Sequence, residues 1–296
     1  MNRKDRKYAF ALTTPALIFF VLCFGYPILL LIYNSFFDVN LMNMDNKVFV
    51  GFSNYKKIFM SKADGELFLR TFQYTAITLT TEFLLGFAAA LIFNAIGKKS
   101  QIFRTIFLFP LMIAPVVAGL LWKYMLSSNF GILNYILNRL RLIHSVDQIA
   151  WLSDPNLVIY SVAIPDIWLT TCFVMMVIYK GLQNIPNELK EAAKIDGANS
   201  IQSFNYVTLP LLRPVVATVL ILRGIDAART FDAIYLMTGG GPLKRSEVLS
   251  LRIYQTMIRY GRLGEASAMA TLFLIALLSI CLIAYKLIYN PSQNAS

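Results

Sequence analysis

Charged residues are scarce in this chain: Asp, Glu, Lys and Arg make up 15% of its 296 residues, whereas hydrophobic residues make up 57%. A soluble domain of this length needs far more polar surface, so the composition excludes one and indicates a membrane protein. The sequence also lacks a nucleotide-binding glycine loop with its lysine, and it has no polar segment with paired catalytic carboxylates. We therefore predict that the chain contains no catalytic residue.

Potential metal ligands are equally scarce. The single histidine, His144, has no second ligand-type neighbour, and Cys23, Cys172 and Cys281 each lie inside an apolar stretch. We interpret the cysteines as packing residues and predict neither a metal site nor a disulfide. The net charge of +11 is not gathered into a basic stripe with interleaved aromatic residues, so it indicates contact with anionic lipid and not with nucleic acid.

Long apolar runs dominate what is present. A spanning helix needs about 20 mostly apolar residues, and Pro15 and Pro27 predict kinks in the first such run. The stretches that qualify are 9–36, 71–94, 106–126, 157–179, 215–237 and 266–289. We predict an all-α, polytopic membrane protein with six transmembrane helices, forming a single domain over residues 1–296.

The orientation follows less directly. Residues 2–7 are basic and precede an apolar run that is too long for a signal-peptide core, so we predict a retained first helix with a cytoplasmic N-terminus. Lys and Arg are about equally numerous on the two predicted sides, so the positive-inside rule alone does not decide the topology.

The most informative polar stretch runs from residue 185 to 214, between two apolar segments. Pro186 can begin a helix, because its missing N–H costs nothing at the first position. Glu188 and Glu191 place acids in the early turns, where the helix dipole favours them. Gly197 follows as a break, and a second helical run covers 198–206. The pattern predicts two short helices joined by a glycine elbow, outside the hydrocarbon.

This stretch resembles the EAA loop of ABC-importer permeases, most closely the maltose-type sugar permeases. The matching residues are Glu191, Ala192 and Ala193, then Asp196, Gly197 and Ala198, followed by Phe204, Leu209, Pro210 and Pro214. In that family the loop forms a coupling helix that docks in a groove of a cytoplasmic ATPase. The resemblance implies that Glu191 is the electrostatic contact, that the three alanines permit a close fit, and that Gly197 is the elbow.

The same resemblance implies the partners and the location. They are a second permease subunit in a heterodimer, two cytoplasmic nucleotide-binding subunits that bind ATP and Mg, and an extracytoplasmic solute-binding protein. The chain itself would hold no cofactor. The location implied is a bacterial or archaeal cell membrane, crossed several times, with both termini cytoplasmic.

Charged and aromatic side chains inside the predicted spans are candidates for a solute path, since intramembrane charge is costly. They are Glu82, Asp166, Trp168, Arg223, Asp226 and Asp232. Glu82 could equally be a hydrogen-bonded packing residue, and Trp168 a wedge between helices. Charges of alternating sign recur every three residues from Arg223 to Asp232, as an ion-pair ladder or as the wall of a cavity.

A glycine run near the end of the fifth predicted span is a further candidate site. Gly239, Gly240, Gly241 and Pro242 predict an external turn, because glycine permits sharp backbone turns and close approach of a partner. The run resembles a T-x-G-G-P passage of the maltose-type permeases, as residues 166–168 resemble their D-x-W passage.

Together these features predict a permease subunit of an ATP-driven ABC importer for a sugar or related polyol. It would form half of the translocation path and couple to a cytoplasmic ATPase. The alternative is a secondary transporter driven by an ion gradient, which would use Glu82, Asp226 and Asp232 as ion sites.

Overall fold

The structure, a computed structural model, describes residues 3–288. Their contacts form two compact units, Met1–Gly65 with Arg252–Ala276 and Glu66–Leu251 with Leu277–Ser296. That residues 1–296 form one membrane domain stays a prediction. Residue 2 of the basic N-terminal segment and residue 289 of the sixth predicted span lie outside the described residues.

The first unit begins with a long helical segment. Helix α1 (Arg3–Phe20) passes through a π-helical turn, Val21–Gly25, into α2 (Tyr26–Ser35). Pro27 has no N–H to donate to the carbonyl four residues earlier, and the wider turn lies at that point. Helix α1 continues through Pro15, and the kinks expected at Pro15 and Pro27 stay predictions.

A short hairpin follows, and the all-α prediction did not include it. Strands β1 (Phe37–Asn40) and β2 (Asn43–Phe49) pair antiparallel, with Phe37 opposite Phe49. Every residue of β2 is exposed, so the strand lacks the alternation of apolar and polar residues by which a strand is recognised. The Asn54 amide holds its base, donating to the carbonyl of Phe37 at 3.0 Å.

The rest of the first unit packs around this hairpin. It contains α3 (Ser53–Met60), the beginning of α4 (Lys62–Ile96), the end of α14 (Leu249–Tyr254), a π-helical turn (Gln255–Arg259) and the first part of α15 (Leu263–Ile288). The amide of Leu41 donates to the carbonyl of Gly261 at 2.7 Å. A Cβ atom at Gly264 would overlap the Phe37 carbonyl oxygen, so glycine is required where α15 meets the hairpin.

The second unit contains the helices between α4 and α14, together with parts of α4, α14 and α15. Besides the body of α4 and the start of α14, they are α5 (Gln101–Phe107), α6 (Pro115–Met125), α7 (Ile132–Arg139), α8 (Val158–Ser161), α9 (Ile164–Gln183), α10 (Asn187–Ile195), α11 (Ser200–Ser203), α12 (Leu209–Ala228) and α13 (Asp232–Met237). Residues 277–288 complete the unit with the end of α15.

Within residues 3–288, five segments are helical, long and apolar enough to cross a membrane: Leu12–Ser35, Lys62–Ile96, Ile164–Gln183, Ser200–Met237 and Leu263–Lys286. They confirm a polytopic helical protein and correspond to five of the six predicted spans. Three of them, those that begin at Lys62, Ser200 and Leu263, begin earlier than predicted, because the residues before each apolar run continue the helices α4, α11–α12 and α15.

The predicted third span, 106–126, is not one continuous helix. Helix α5 ends at Phe107, a 3₁₀ turn covers Phe109–Met112, and α6 begins only at Pro115. Proline disfavours helical backbone at the residue before it, and Ala114 is extended, with φ −63° and ψ 138°. Two prolines within six residues thus divide this apolar run.

Two hydrophobic clusters form the core of the second unit. One surrounds Tyr74, Val162 and Ile234, and the other joins α4, α9 and α12 around Met175 and Leu212. Helices α4 and α9 approach closely at Gly86, where a Cβ atom would lie 2.7 Å from the Cβ of Val174. This contact holds the middle of α4 against α9, next to the charged residues described below.

Candidate functional site

A buried ion pair joins two spanning helices of the second unit. Arg223 of α12 donates to both carboxylate oxygens of Glu82 on α4, from Nε at 2.9 Å and from Nη2 at 3.0 Å. The Glu82 side chain is 0% exposed and that of Arg223 is 7% exposed. Two parallel N–H···O bonds fix direction as well as distance, so the pair sets how α4 and α12 face each other at this depth.

Arg223 also contacts two further carboxylates. Its Nη2 lies 3.4 Å from Asp166 Oδ1, and its Nη1 lies 3.5 Å from Asp226 Oδ2. Asp226 is 2.6 Å from Nη2 of Arg229, and the Thr230 hydroxyl donates to Asp166 at 3.2 Å. We call Glu82, Asp166, Arg223, Asp226 and Arg229 the charge cluster. Each of its carboxylates has a partner, as charge in a spanning segment requires.

The predicted row of alternating charges is present only in part. Arg223, Asp226 and Arg229 pair at i, i+3 along α12, as neighbours on one helix face do. Asp232 does not belong to the row, because α12 ends at Ala228 and Asp232 lies in the first turn of α13. The Arg223 side chain is buried, whereas that of Asp226 is 43% exposed.

A cavity of about 400 Å³ opens beside the charge cluster. Four of the predicted path residues line it: Asp166, Arg223, Asp226 and Asp232. Apolar residues and prolines from the divided third span and from α9 form much of the remaining wall, including Leu111, Ile113, Pro115, Pro165 and Leu169. The divided span therefore contributes irregular backbone to the cavity wall, where such backbone is tolerated at membrane depth.

Two predicted path residues are not among those that line this cavity. Glu82 lies behind Arg223, with its carboxylate turned to the guanidinium group. Trp168 packs edge-on against Trp122, with ring centroids 6.0 Å apart and an interplanar angle of 70°. That placement favours the packing alternative for Trp168, a wedge between α6 and α9.

The polar stretch between α9 and α12 forms the predicted elbow. Helix α10 begins at Asn187, one residue later than expected, with Pro186 as the preceding, non-helical residue. Gly197 ends the helix at φ +82°, its amide donating to the carbonyl of Lys194 at 3.1 Å. The amide of Ala198 donates to the carbonyl of Ala193 at 2.9 Å. These two bonds form a Schellman motif, which requires the left-handed conformation that glycine adopts without strain.

Helix α11 begins immediately after this elbow. Asn199 accepts from the amide of Gln202 at 2.9 Å, and the Gln202 side chain accepts from the amide of Asn199 at 2.8 Å. This reciprocal pair is a capping box, which fixes the first turn of a helix. The predicted separate helix over 198–206 instead runs on through a π-helical turn, Phe204–Thr208, into α12.

The elbow presents its side chains to solvent. Glu191, Ala192, Asp196 and Gly197 are exposed, and Ala193 and Ala198 are half-buried. Large apolar side chains of the same surface are exposed as well: Leu189, Ile195, Ile201 and Tyr206. Ile195 is 86% exposed. Exposed apolar side chains grouped in this way on a polar segment are typical of a protein interface.

The glycine run forms a turn held by hydroxyl groups. Gly239 and Gly240 have φ of +60° and +95°, while Gly241 and Pro242 continue the turn. The buried Ser246 hydroxyl donates to the carbonyl of Gly241 at 2.6 Å. Gly240 is buried, and a Cβ atom there would lie 3.2 Å from Leu251, so the turn packs closely on its own unit.

Two parts of the site were not predicted. The Glu82–Arg223 pair links residues 141 positions apart, and only the need to neutralise a buried carboxylate could have suggested a cationic partner on another span. The capping box could have been found from Asn199 and Gln202, whose N-x-x-Q spacing is its sequence signature.

Comparison with known proteins identifies the class. Residues 82–293 match the family described as "Binding-protein-dependent transport system inner membrane component". The matched range covers more than half of the chain and includes both the charge cluster and the elbow. A polytopic helical chain with this match is a membrane permease of the ABC importer class. The chain belongs to the binding-protein-dependent transport family, which decides against a secondary transporter driven by an ion gradient.

Individual relatives agree with this assignment. The sulfoquinovosyl glycerol transport system permease protein SmoG of Agrobacterium fabrum is 35% identical over 283 residues, 96% of this chain and 90% of the relative. The trehalose/maltose transport system permease protein MalF of Thermococcus litoralis is 35% identical over 240 residues, 81% of this chain and 80% of the relative.

A solved structure shares the fold. It is that of a bacterial ABC transporter involved in the import of the acidic polysaccharide alginate. The match has a TM-score of 0.81 over 97% of this chain and 96% of that chain, at 23% identity. At this identity the likeness concerns the fold alone.

Proposed function

We propose that this permease carries a sugar or a related polyol and catalyses no reaction itself. Energy would come from ATP and Mg bound by two partner ATPase subunits. The relatives SmoG and MalF are named for the transport of sulfoquinovosyl glycerol and of trehalose/maltose, which supports a solute of sugar type. The observation that carries the proposal is the exposed elbow between α9 and α12.

The elbow is the proposed ATPase-docking surface. Glu191, Ala192, Ala193, Asp196, Gly197 and Ala198 would enter a groove of the ATPase. The Schellman motif and the capping box support this role, because they hold the backbone of the elbow in one conformation before any partner binds. A preformed surface loses less conformational entropy on binding.

The cavity beside the charge cluster is the proposed solute path, with Asp166, Arg223, Asp226 and Asp232 on its wall and Glu82 and Trp168 behind it. Carboxylates and hydroxyl groups can hydrogen-bond to the hydroxyl groups of a polyol. A wall on one side makes half of a path, so a second, different permease would supply the other half. The span Leu12–Ser35, whose most apolar part has no buried residue, offers further surface for lipid or for that partner.

The proposed cycle is alternating access. A solute-binding protein would dock on the external side, near the turn of Gly239, Gly240, Gly241 and Pro242, and the ATPases on the cytoplasmic side, with both termini. The solute-loaded receptor and ATP would each bind one global state better than the other and so shift the population toward it. Movement of the elbow would carry α12, and with it Arg223, from one state to the other.

The first experiment is purification of the tagged full-length chain from membranes, with mass spectrometry of the bound proteins. We expect an ATPase and a second permease, and uptake that requires ATP and the binding protein. Isolation of the chain alone, with solute flux indifferent to ATP, would overturn the proposal.

A second experiment tests the elbow itself. Glu191→Ala should lower ATP-driven uptake on the order of tenfold, which corresponds to losing about 1.4 kcal/mol of docking free energy. The matched control is Glu188→Ala, an exposed acid in the first turn of the same helix. Wild-type uptake by the Glu191 variant, at equal membrane abundance, would remove Glu191 from the docking surface.

A further inference from the structure

The charges around the cavity do not balance. Asp166, Asp226 and Asp232 line it together with Arg223 and Arg229. Glu82 stands directly behind Arg223 and binds it through both oxygens. Four carboxylates therefore face two guanidinium groups, a formal charge of −2. Because the wall also contains apolar residues that exclude water, this charge acts through less dielectric screening than it would on an open surface.

The ion pairs of Arg223 and Arg229 leave the excess negative charge at the cavity. Arg223 is engaged by Glu82 at 2.9 and 3.0 Å and is 7% exposed, so its charge is already neutralised from behind. Arg229 is 66% exposed and paired with Asp226 at 2.6 Å. Asp232 is exposed and, among residues 3–288, has no ion-pair partner. Asp166 contacts Arg223 at 3.4 Å, which is longer than either bond from Arg223 to Glu82.

We propose that the cavity selects solutes by charge: it admits uncharged or cationic polyhydroxylated solutes and rejects anionic ones such as uronates, sulfonates and sugar phosphates. Glu82 is a specificity-positioning residue in this scheme. It touches no solute, but it cancels the cation that would otherwise attract an anion. The inference rests on the proposed function of the cavity as a solute path, and it adds a criterion for the solute beyond its sugar chemistry.

The electrostatic potential in the cavity can be measured without transport. In the full-length chain in membrane vesicles, the three native cysteines are replaced by alanine and Thr170, a cavity residue one turn after Asp166, by cysteine. The thiol is then treated with a cationic and an anionic methanethiosulfonate reagent, trimethylammonium-ethyl and sulfonato-ethyl. The ratio of the two rates, divided by that for a small thiol in solution, reports the sign of the potential. Effects on the thiol itself cancel in this ratio.

We expect the cationic reagent to be favoured by at least about tenfold at low ionic strength, and the preference to fall as salt is added. Asp232→Asn, which alters an exposed side chain, should lower the ratio by about fivefold. Glu82→Gln should also lower it although Glu82 does not line the cavity, and Ile113→Val, an uncharged change of the wall, should not.

Each contrary result has a definite meaning. A ratio near one, or a preference for the anionic reagent, would overturn the inference. Failure of both reagents to react would overturn it too, since the cavity would then be closed to molecules of sugar size. Because the labelling needs neither ATP nor a binding protein, a negative potential in a chain that shows no ATP-driven uptake would refute only the proposed function.

Discussion

The buried pair of Glu82 and Arg223 gives the sharpest stability prediction. Arg223→Met removes one partner and leaves Glu82, which is 0% exposed, without its cation. Breaking a buried pair in this way typically costs about 3–5 kcal/mol, because an uncompensated charge remains inside. We expect a loss of this size in the free energy of unfolding, and a similar loss for Glu82→Leu.

The double variant, Glu82→Leu with Arg223→Met, should be much closer to the wild type than the two single losses added together. Replacing both members of a buried pair by apolar residues is often nearly neutral. Asp166 and Asp226 would still lose Arg223, so we expect a residual cost of about 1–2 kcal/mol. The coupling free energy of the cycle should therefore exceed about 3 kcal/mol.

The assay is equilibrium unfolding of the purified protein in mixed micelles, with increasing SDS and circular dichroism as the signal. Arg223→Lys provides a further comparison, since lysine keeps the charge but cannot make two parallel bonds to one carboxylate. It should fall between the wild type and Arg223→Met. The assigned role of the pair would be refuted if each single variant lost less than about 1 kcal/mol of unfolding free energy. It would also be refuted if the two losses simply added in the double variant.

Three further changes test the elbow and the helix contact. Gly197→Ala should lower the free energy of unfolding by about 1–2 kcal/mol, because φ at this position is +82°. The control Gly65→Ala, in open helical surroundings, should cause no measurable loss. Unfolding curves of the two variants compare them directly. Asn199→Ala should cost about 1 kcal/mol by removing the capping box, read as faster amide exchange in the first turn of α11. Gly86→Val should lower the unfolding midpoint sharply, because its added atoms meet Val174 at under 3 Å; an unchanged midpoint would mean that α4 and α9 do not pack as described.

Much of the fold could be predicted because bilayer thickness sets a length for apolar runs. Five spans follow from that rule, and the elbow follows from Gly197, whose type alone indicates a left-handed helix end. The length rule fails for the divided third span. Apolar length is satisfied over 106–126, but Pro110 and Pro115 control the backbone there.

The site was less predictable for a different reason. The candidate residues near the cavity could be chosen because charge is rare in a span, but their pairing depends on helix packing. Arg223 was expected to pair along its own helix with Asp226, at a spacing visible in the sequence. It binds most closely instead to Glu82, on another helix, at a separation that no local pattern records.

Helix α11 continues into α12, so one long helix connects the elbow to Arg223 of the charge cluster. A helix from Ser200 to Arg223 is about 35 Å long. If it pivots at the elbow by about 5°, the far end travels about 3 Å. That travel is comparable to the 2.9 Å bond between Arg223 and Glu82. A tilt too small to disturb the helix itself is therefore enough to exchange the partners of one guanidinium group.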